Sequence, residues 1–378
     1  MTLRPPLIEL EPVDRAHLES ARRIAHEGWG QVHPNPMVGC VLVKGGKVVS
    51  QGYHEVFGGP HAEIVALERA LSSAEGSTAY VSLEPCNHHG KTPPCAQALI
   101  DAGVRRVVFG ASDPGPSSGG GAETLRAAGV EVVGPVWDVA TGRAENPAFF
   151  HAAAHDRPFI ALKLAMSLDA RIAAAPGART LITGHETQRE VHRIRAGFDA
   201  VMVGAGTVTA DDPRLTPRFA PSGHKSVHRV LLLPDAELEP EAAVLHDADV
   251  HPVHVFCLDS ATEMALERLE SAGTQVHPVP ADEGNPGHLD LSAVLQRCHE
   301  LGLRSVLCEG GADLSASLLR HGMVDRLYLF IAPHAIGTRG LSAFADDAGE
   351  VAWRSYVPVC PPAAFGSDTL ITLDRAGD

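Results

Sequence analysis

The sequence contains no apolar run that approaches the roughly 18 to 20 residues needed to cross a membrane. Its first segment, Met1 to Ser20, also lacks the basic stretch followed by an apolar stretch that characterises a secretory leader. These two absences predict a cytoplasmic protein that has no membrane partner.

Basic residues are scarce, and they are not gathered into a run. Lys and Arg number 31 against 46 Asp and Glu, which gives a formal net charge of −15 at pH 7. Such a charge repels a phosphate backbone unless the basic residues form one patch. The composition therefore favours a small-molecule substrate and argues against a nucleic-acid partner.

Cysteines are few and irregularly spaced, which makes a disulfide framework a poor expectation. The seven are Cys40, Cys86, Cys95, Cys257, Cys298, Cys308 and Cys360. We therefore expect reduced thiols, some of which are available to bind a metal.

With 378 residues the chain is too long for one ordinary core, so two domains are expected. Hydrophobic residues make up 44% and charged residues 20%, a composition typical of globular domains. Strand-like and helix-like segments alternate in both halves, which predicts α/β folds with helices covering a sheet. We place the boundary between Val136 and Pro158, with domains at 1–150 and 151–378.

Two local patterns in the first half carry specific predictions. Asp14 is expected to N-cap a helix over residues 15–27, which Gly28 ends. Residues 113–121, Asp-Pro-Gly-Pro-Ser-Ser-Gly-Gly-Gly, predict a loop. The flexibility of this loop would suit a substrate lid, and a surface connection without a role is the alternative.

His61, Cys86 and Cys95 have the donor types of a catalytic zinc site. One imidazole and two thiolates leave the fourth tetrahedral position for water, whereas a structural site is closed by four protein ligands. Glu63 lies two residues after His61, at the start of a predicted helix, so it can reach that water without binding the metal. We expect Glu63 to carry a proton from the water to the leaving nitrogen. A buried histidine and two core thiols are the structural alternative.

The order His-x-Glu followed by Pro-Cys-x-x-Cys is the signature of zinc nucleobase deaminases. Here the second cysteine is farther away, because Pro85-Cys86 continues as Asn-His-His-Gly-Lys-Thr-Pro-Pro before Cys95. This widened form, together with His-Pro-Asn-Pro at 33–36 before Val-Gly-Cys at 38–40, resembles the bifunctional riboflavin-biosynthesis deaminase/reductase family. The resemblance spans nearly the whole chain.

The resemblance implies a cytidine-deaminase-like three-layer α/β/α domain at the N-terminus. In this family the domain removes an amino group from the pyrimidine ring of a diaminohydroxyphosphoribosylaminopyrimidine. By the same resemblance, Asn35 hydrogen-bonds the pyrimidine, and Lys91 and Thr92 contact the substrate. A lysine there also suits a phosphate. The chain has Gly115 where the family usually has asparagine in Asp-Pro-Asn-Pro, so one polar substrate contact is missing from the pattern.

The second half resembles the reductase domain of the same family. The matching segments are Ser167-Leu168-Asp169, Gly204-Ala205-Gly206-Thr207, Asp211-Asp212-Pro213 and Glu309-Gly310-Gly311-Ala312. A glycine turn at a helix N-terminus allows backbone N–H groups to approach a phosphate, although each turn alone is weak evidence. The resemblance implies a dihydrofolate-reductase-like α/β fold that reduces the ribosyl arm with NADPH. No Gly-x-Gly-x-x-Gly fingerprint is evident, and that fold does not require one.

The resemblance also assigns roles to individual residues of this half. Contacts with the cofactor are implied for Ala165, Thr207, Asp211, Gly310, Gly311 and Ala312, and contacts with the substrate for Arg195, Leu215, Arg218 and Glu309. Arginine suits a phosphate because its guanidinium can form a bidentate pair. A helix-surface charge for Arg195 and a turn residue for Asp211 are the structural alternatives.

Three positions in the second half depart from the family pattern. Ala170 stands where the family has glycine, Leu181 where it has a tryptophan beside the cofactor, and Leu233-Pro234 where an Asp-Ser pair is commoner. One alternative is therefore an active deaminase with a non-catalytic reductase-like domain. Others are a related deaminase of another small molecule and a nucleic-acid base editor, against which the acidic charge and the widened cysteine spacing count. A homo-oligomer is expected.

Overall fold

A computed structural model of the chain describes residues 6–88, 93–116, 118–218, 226–344 and 355–376. The chain divides into two compact units between His155 and Asp156, a point inside the interval 136–158. Across the described ranges, no helix combines the length and the apolar character that a membrane span requires.

A five-stranded sheet forms the centre of the N-terminal unit. Its strands are β1 (Gly39–Lys44), β2 (Lys47–Tyr53), β3 (Thr78–Leu83), β4 (Arg106–Ala111) and β5 (Glu131–Val133), in the order β2-β1-β3-β4-β5. β1 is antiparallel to β2 and β3, whereas β3, β4 and β5 are parallel. Gly45 and Gly46 adopt positive φ between β1 and β2, which a tight hairpin turn requires.

Helices cover both faces of this sheet. They are α1 (Pro12–Ala25), α2 (Ala62–Ala70), α3 (Cys95–Asp101), α4 (Gly121–Ala127), α5 (Val139–Glu145) and α6 (Pro147–Ala152). Leu18 of α1 packs with Val41 on one face. Ala66 of α2, Leu99 of α3 and Leu125 of α4 form a second core on the other face. The unit therefore has three layers, helix on sheet on helix, as expected from the sequence.

Asp14 does not cap α1, so that prediction is wrong. The helix begins at Pro12, because proline is favoured in a first helical turn whose N–H groups have no helical partner. Asp14 lies inside the helix and is buried. Its carboxylate accepts a hydrogen bond of 2.5 Å from the hydroxyl of Tyr80 and bonds of 2.8 and 3.0 Å from the guanidinium of Arg106. The residue joins α1 to β3 and β4.

A larger sheet forms the centre of the C-terminal unit. Its strands are β6 (Phe159–Ser167), β8 (Ala200–Gly204), β9 (His228–Leu232), β10 (Val253–Leu258), β11 (Gln275–Val279), β14 (Ser305–Cys308), β15 (Arg326–Ala332), β17 (Tyr356–Pro358), β18 (Ala363–Phe365) and β19 (Asp368–Arg375). The order is β11-β10-β9-β8-β14-β6-β15-β19-β17, and β18 pairs with β19. β14 lies between β8 and β6 and is parallel to both, so the carboxyl ends of these three strands meet at one edge.

Five α-helices and two separate pairs of short antiparallel strands complete the described part of this unit. The helices are α7 (His185–Ala196), α8 (Ala205–Asp211), α9 (Glu263–Ser271), α10 (Leu291–Glu300) and α11 (Ala312–Arg320). The pairs are β12 (Ala281–Asp282) with β13 (Asn285–Leu289), and β7 (Arg171–Ala173) with β16 (Leu341–Ser342). Val294 of α10 and Leu318 of α11 pack on one face of the large sheet, and Leu269 of α9 packs on the other.

Several elements, most of them short, are not predicted by the sequence patterns. They are α5, α6, α8, β7, β11 to β13 and β16 to β19. β13, for example, is Asn-Pro-Gly-His-Leu, which has no β-branched residue and little strand propensity. Such segments become strands because a neighbouring strand supplies hydrogen bonds, which a local pattern does not reveal.

Candidate active sites

The folding of the N-terminal unit brings His61, Cys86 and Cys95 together. His61 directly precedes α2, Cys86 follows the end of β3, and Cys95 is the first residue of α3. One ligand atom from each lies within 4.8 Å of the other two. His61 Nδ1 is 3.2 Å from the Sγ of Cys95 and 3.5 Å from the Sγ of Cys86. The three ligand atoms are therefore close enough to bind one metal ion.

The two cysteines of this cluster differ in acidity. A hydrogen bond from Cys95 and the contact with His61 lower the pKa of the Cys86 thiol, against the opposing effect of burial. The same hydrogen bond and burial raise the pKa of Cys95. The main-chain N–H of Cys95, at the start of α3, also donates to the Cys86 sulfur over 3.4 Å. The protein by itself thus favours one thiolate, and a bound divalent cation would favour both.

Glu63 lies on the first turn of α2 and is only 3% exposed. Burial raises the pKa of its carboxyl group to about 7, and the negative charge of Cys86 acts in the same direction. A group of this acidity can both accept and release a proton near neutral pH. A bound cation nearby would lower the pKa again.

Asn35 reaches the same region through a histidine that the sequence patterns do not single out. The Nδ2 of Asn35 lies 3.1 Å from the Nε2 of His54, and the Nδ1 of His54 lies 2.9 Å from the carbonyl oxygen of Pro60. The ring of His54 meets that of His61 edge to face, with centroids 5.4 Å apart. A histidine directly after β2 and shortly before His61 is the sequence signal that could have indicated it. Lys91 and Thr92 lie outside the described residues.

The glycine-rich loop at 113–121 is tied to the strand end that carries Cys86. Glu84 accepts hydrogen bonds from the main-chain N–H groups of Gly120 at 3.2 Å and Ala122 at 3.1 Å. Asp113 accepts from Gly115 N–H at 2.8 Å and from the Ser118 hydroxyl at 2.9 Å. These bonds favour the surface connection over a mobile lid for the described part of the loop.

In the C-terminal unit, Glu309 forms ion pairs with two cations. Arg195 of α7 donates hydrogen bonds to both carboxylate oxygens of Glu309, with 3.0 Å to Oε2, and Lys163 of β6 lies 2.8 Å from the same Oε2. Burial would raise the pKa of Glu309, but the charges of Arg195 and Lys163 lower it well below its usual range. The group therefore carries two positive charges and one negative charge.

Lys163 is a further functional candidate that the sequence patterns do not single out. It stands inside β6, where its neighbours Leu162 and Leu164 are buried core residues. β14 pairs with β6 so that Cys308 faces Leu162, and this register places the next residue, Glu309, beside Lys163. A single charge within an apolar strand is the signal that could have indicated it.

The predicted cofactor residues lie at or near the carboxyl ends of the same strands. Thr207 follows β8 at the start of α8, and the Gly310-Gly311 turn follows β14 before Ala312 begins α11. A Cβ atom on Gly311 would lie 3.5 Å from the Thr207 hydroxyl oxygen, so the two turns are neighbours. Asp211 ends α8, and Ala165 is on β6, next in the sheet to β14. Ligands of open α/β sheets bind at such an edge.

The segment around Leu215 and Arg218 lies against α7. Leu215 is buried and holds a φ of 58°, a left-handed conformation that is costly for leucine. The carbonyl oxygen of Thr216 accepts a hydrogen bond of 3.4 Å from Arg195. Arg218, in contrast, is exposed. The structure thus brings Arg195 and Arg218 to the same region.

The three departures from the family pattern have different surroundings. Ala170 adopts a φ of 56°, the conformation for which glycine is favoured. Leu181 is 74% exposed. Pro234 follows β9, and its carbonyl oxygen accepts a hydrogen bond of 3.2 Å from Leu258 N–H.

Two family models match the chain. The RibD C-terminal domain matches residues 158–355, and the cytidine and deoxycytidylate deaminase zinc-binding region matches residues 12–111. Among curated proteins, the riboflavin biosynthesis protein RibD of Aquifex aeolicus is 40% identical over 335 residues, which cover 88% of this chain and 90% of that protein. The protein of the same name from Escherichia coli is 37% identical over 340 residues, with coverage of 87% and 90%.

Solved structures give the same result. Acinetobacter baumannii RibD, form 1, matches with a TM-score of 0.80 and 31% identity, covering 97% of this chain and 99% of that one. A diaminohydroxyphosphoribosylaminopyrimidine deaminase/5-amino-6-(5-phosphoribosylamino)uracil reductase from Thermotoga maritima matches with a TM-score of 0.79 and 31% identity, covering 96% and 99%.

Proposed function

The chain belongs to the family of the riboflavin biosynthesis protein RibD, and on this basis we propose that it acts on diaminohydroxyphosphoribosylaminopyrimidine, which the Thermotoga relative is named for. Membership confirms the two-domain α/β fold, with a cytidine-deaminase-like N-terminal and a dihydrofolate-reductase-like C-terminal domain. It also confirms a bifunctional deaminase and reductase that uses zinc and NADPH. In our proposal, deamination precedes reduction of the ribosyl arm, and the product is 5-amino-6-(5-phosphoribitylamino)uracil.

We propose His61, Cys86 and Cys95 as the zinc ligands, because both their chemistry and their spacing fit. Nitrogen and sulfur donors around one tetrahedral zinc lie about 3.5 Å apart, given bond lengths of about 2.0 and 2.3 Å. The observed nitrogen–sulfur distances are 3.2 and 3.5 Å. When bound, zinc supplies Lewis-acid activation of a water molecule. This convergence of three donors beside a buried glutamate is the observation that carries the proposal.

In this proposal Glu63 moves the proton. Its place on α2, two residues from His61, directs the carboxylate toward the cluster without making it a ligand. In its buried setting, it accepts a proton from water and passes it to the leaving amino nitrogen. Asn35, oriented by its contact with His54, holds the pyrimidine in place for this transfer.

In the reductase half, we propose that the substrate lies against the Arg195, Glu309 and Lys163 group. Its two cations and one anion leave one net positive charge, which suits a phosphorylated ligand. Arg195 is already committed to Glu309, so the exposed Arg218 is the guanidinium that we assign to the phosphate. Leu215 supplies an apolar contact nearby.

On the cofactor side, we propose that the Gly310-Gly311 turn and Ala312 approach the dinucleotide through their main-chain N–H groups, with Thr207, Asp211 and Ala165 alongside. NADPH, when bound, supplies the hydride. The side chains then orient the ribosyl carbon toward it and keep the phosphate fixed.

The test of the deaminase half is a glutamine in place of Glu63. Glu63→Gln should retain zinc and lose deamination by at least about 100-fold, because proton transfer contributes roughly that much or more. Glu68→Gln, an exposed position on the same helix, should keep both. Metal analysis and ammonia release are the measurements. Full activity in Glu63→Gln would remove this residue from the mechanism.

The reductase half is tested on the deaminated intermediate with NADPH. Oxidation of NADPH by the wild-type enzyme is expected, with Lys163→Met and Glu309→Gln impaired because each disturbs the ion pairs. Ammonia release without any NADPH oxidation would instead favour a deaminase with a non-catalytic reductase-like domain.

We further propose that the enzyme is a cytoplasmic homo-oligomer whose partner is this small phosphorylated pyrimidine, without nucleic-acid or membrane partners. The net charge of −15 supports the exclusion of nucleic acid. Light scattering of the purified enzyme tests the oligomer, and a single-chain mass would contradict it.

A further inference from the structure

His192 is a buried histidine near two arginines of the proposed substrate site. It lies on α7, one turn before Arg195, and only 4% of its surface is exposed. The guanidinium of the exposed Arg218 contacts the Nε2 of its ring. A buried ring has little freedom to move, so its contact restricts the position of the exposed guanidinium.

The contacts define which ring nitrogen carries hydrogen. The Nε2 of His192 lies 3.3 Å from the Nε and 3.2 Å from an Nη of Arg218, and its Nδ1 lies 3.1 Å from the carbonyl oxygen of Thr216. A guanidinium can only donate, so Nε2 must accept, and the neutral ring carries its hydrogen on Nδ1 toward Thr216. The main-chain nitrogen of Arg218 is also 3.2 Å from Nδ1. For Nδ1 to accept a hydrogen bond from this N–H, the ring would have to carry its hydrogen on Nε2, where it would point at the guanidinium N–H groups.

The surroundings keep this ring neutral. Burial lowers the pKa of His192 to about 4, and the positive charges of Arg195 and Arg218 act in the same direction, while Glu309 opposes them. At neutral pH the lone pair on Nε2 is therefore available to Arg218.

We propose that His192 is a positioning residue of the reductase, which holds the Arg218 guanidinium ready for the phosphate of the substrate. The inference rests on the proposed function, which assigns Arg218 to that phosphate. An untethered arginine would have to be ordered when the substrate binds, and ordering one long side chain costs about as much free energy as a 2- to 10-fold change in affinity. The contact with His192 orders Arg218 before the substrate binds, so this cost is already met in the free enzyme. Loss of the contact should therefore raise KM and leave kcat nearly unchanged.

Three substitutions separate the two contacts of the ring. His192→Leu removes both, His192→Gln keeps an acceptor near the position of Nε2, and His192→Asn keeps a donor near Nδ1 for Thr216. With 5-amino-6-(5-phosphoribosylamino)uracil and NADPH, we expect KM to rise about 3- to 10-fold for His192→Leu and His192→Asn. KM should stay near the wild-type value for His192→Gln, and kcat should change less than about twofold throughout.

Two controls make the result specific. His185→Gln alters an exposed histidine on the same helix and should leave KM unchanged. Deaminase activity, which belongs to the other unit, reports the amount of intact enzyme in every preparation. In an Arg218→Ala background, His192→Leu should raise KM no further, because the group that it positions is gone.

The outcomes distinguish this inference from the function on which it rests. Arg218→Ala with an unchanged KM would refute the assignment of Arg218 to the phosphate, and the inference with it. A raised KM in Arg218→Ala but not in His192→Leu would refute the inference alone. Two further outcomes would show that His192 has only a packing role. One is an equal rise in KM for His192→Gln and His192→Asn. The other is the same rise in KM for His192→Leu in the wild-type and Arg218→Ala backgrounds.

Discussion

Three histidines form a ladder across β9, β10 and β11, and we predict that this ladder makes the stability of the C-terminal unit depend on pH. In this histidine ladder, His228 Nδ1 lies 2.8 Å from His254 Nε2, and His254 Nδ1 lies 3.0 Å from His277 Nε2. Burial lowers the pKa of both His254 and His277 to about 4. The neighbouring histidines and Arg297 of α10 lower the pKa of His254 further, and Arg297 does so for His277.

The sign follows from which state binds the proton. Between pH 6.5 and 4, unfolded histidine is protonated while these two folded side chains are neutral, so stability falls as the pH falls. At about 1.4 kcal/mol per pH unit, each histidine costs about 2 kcal/mol between pH 7 and pH 5. The pair together costs about 3 to 4 kcal/mol, a large part of a typical unfolding free energy of about 5 to 15 kcal/mol.

Urea unfolding followed by far-ultraviolet circular dichroism at pH 7 and pH 5 measures this loss. The doubly substituted variant His254→Gln, His277→Gln cannot titrate at either position, so it should lose about 3 to 4 kcal/mol less than the wild type over the same interval. His192, whose pKa is also near 4, contributes equally to both proteins and cancels in the difference. Hydrogen exchange in peptides from β10 and β11 assigns the transition to this unit.

His334→Gln provides the matched control, because that histidine is exposed and lies outside the ladder. It should show the wild-type dependence on pH. If the doubly substituted variant lost as much stability as the wild type between pH 7 and pH 5, the two ladder histidines would not be the source, and the reasoning from burial would be refuted.

Three further predictions concern other parts of the chain. Arg229→Met should lower the unfolding free energy by about 3 to 5 kcal/mol, because it removes a buried guanidinium that is fully hydrogen-bonded. The guanidinium donates to the carbonyl oxygens of Val244, His246, Asp247 and His251. A loss below about 1 kcal/mol in urea unfolding would contradict this prediction. Ala170→Gly should raise the unfolding free energy by about 0.5 to 1 kcal/mol, since relief of the positive φ outweighs the extra freedom of glycine in the unfolded chain. A lower melting temperature for this variant would count against the prediction. Removing zinc with a chelator should stop ammonia release and leave NADPH oxidation intact in parallel assays, because His61, Cys86 and Cys95 belong to the N-terminal unit; loss of both activities would show that the metal also supports the reductase.

The sequence alone predicts the cluster of His61, Cys86 and Cys95 and the main elements of both domains. His61 directly precedes α2 and Glu63 follows two residues later on its first turn, so local geometry alone separates the proposed metal ligand from the proposed proton carrier. The helix α7 and the hairpin of β1 and β2 were equally predictable, because their signals are periodicity and turn residues within a short window. Short edge strands such as β13 lack such signals.

Contacts between residues far apart in the sequence depend on the tertiary structure. Glu309 and Arg195 are separated by 114 positions, and the parallel register of β14 with β6 brings Lys163 to the same carboxylate. Aspartate is a favoured residue type for a helix cap, yet Asp14 pairs with Tyr80 and Arg106 on two strands. A local sequence pattern can indicate that a side chain is functional. Its charged partners follow from the order and register of the strands, which depend on the whole chain.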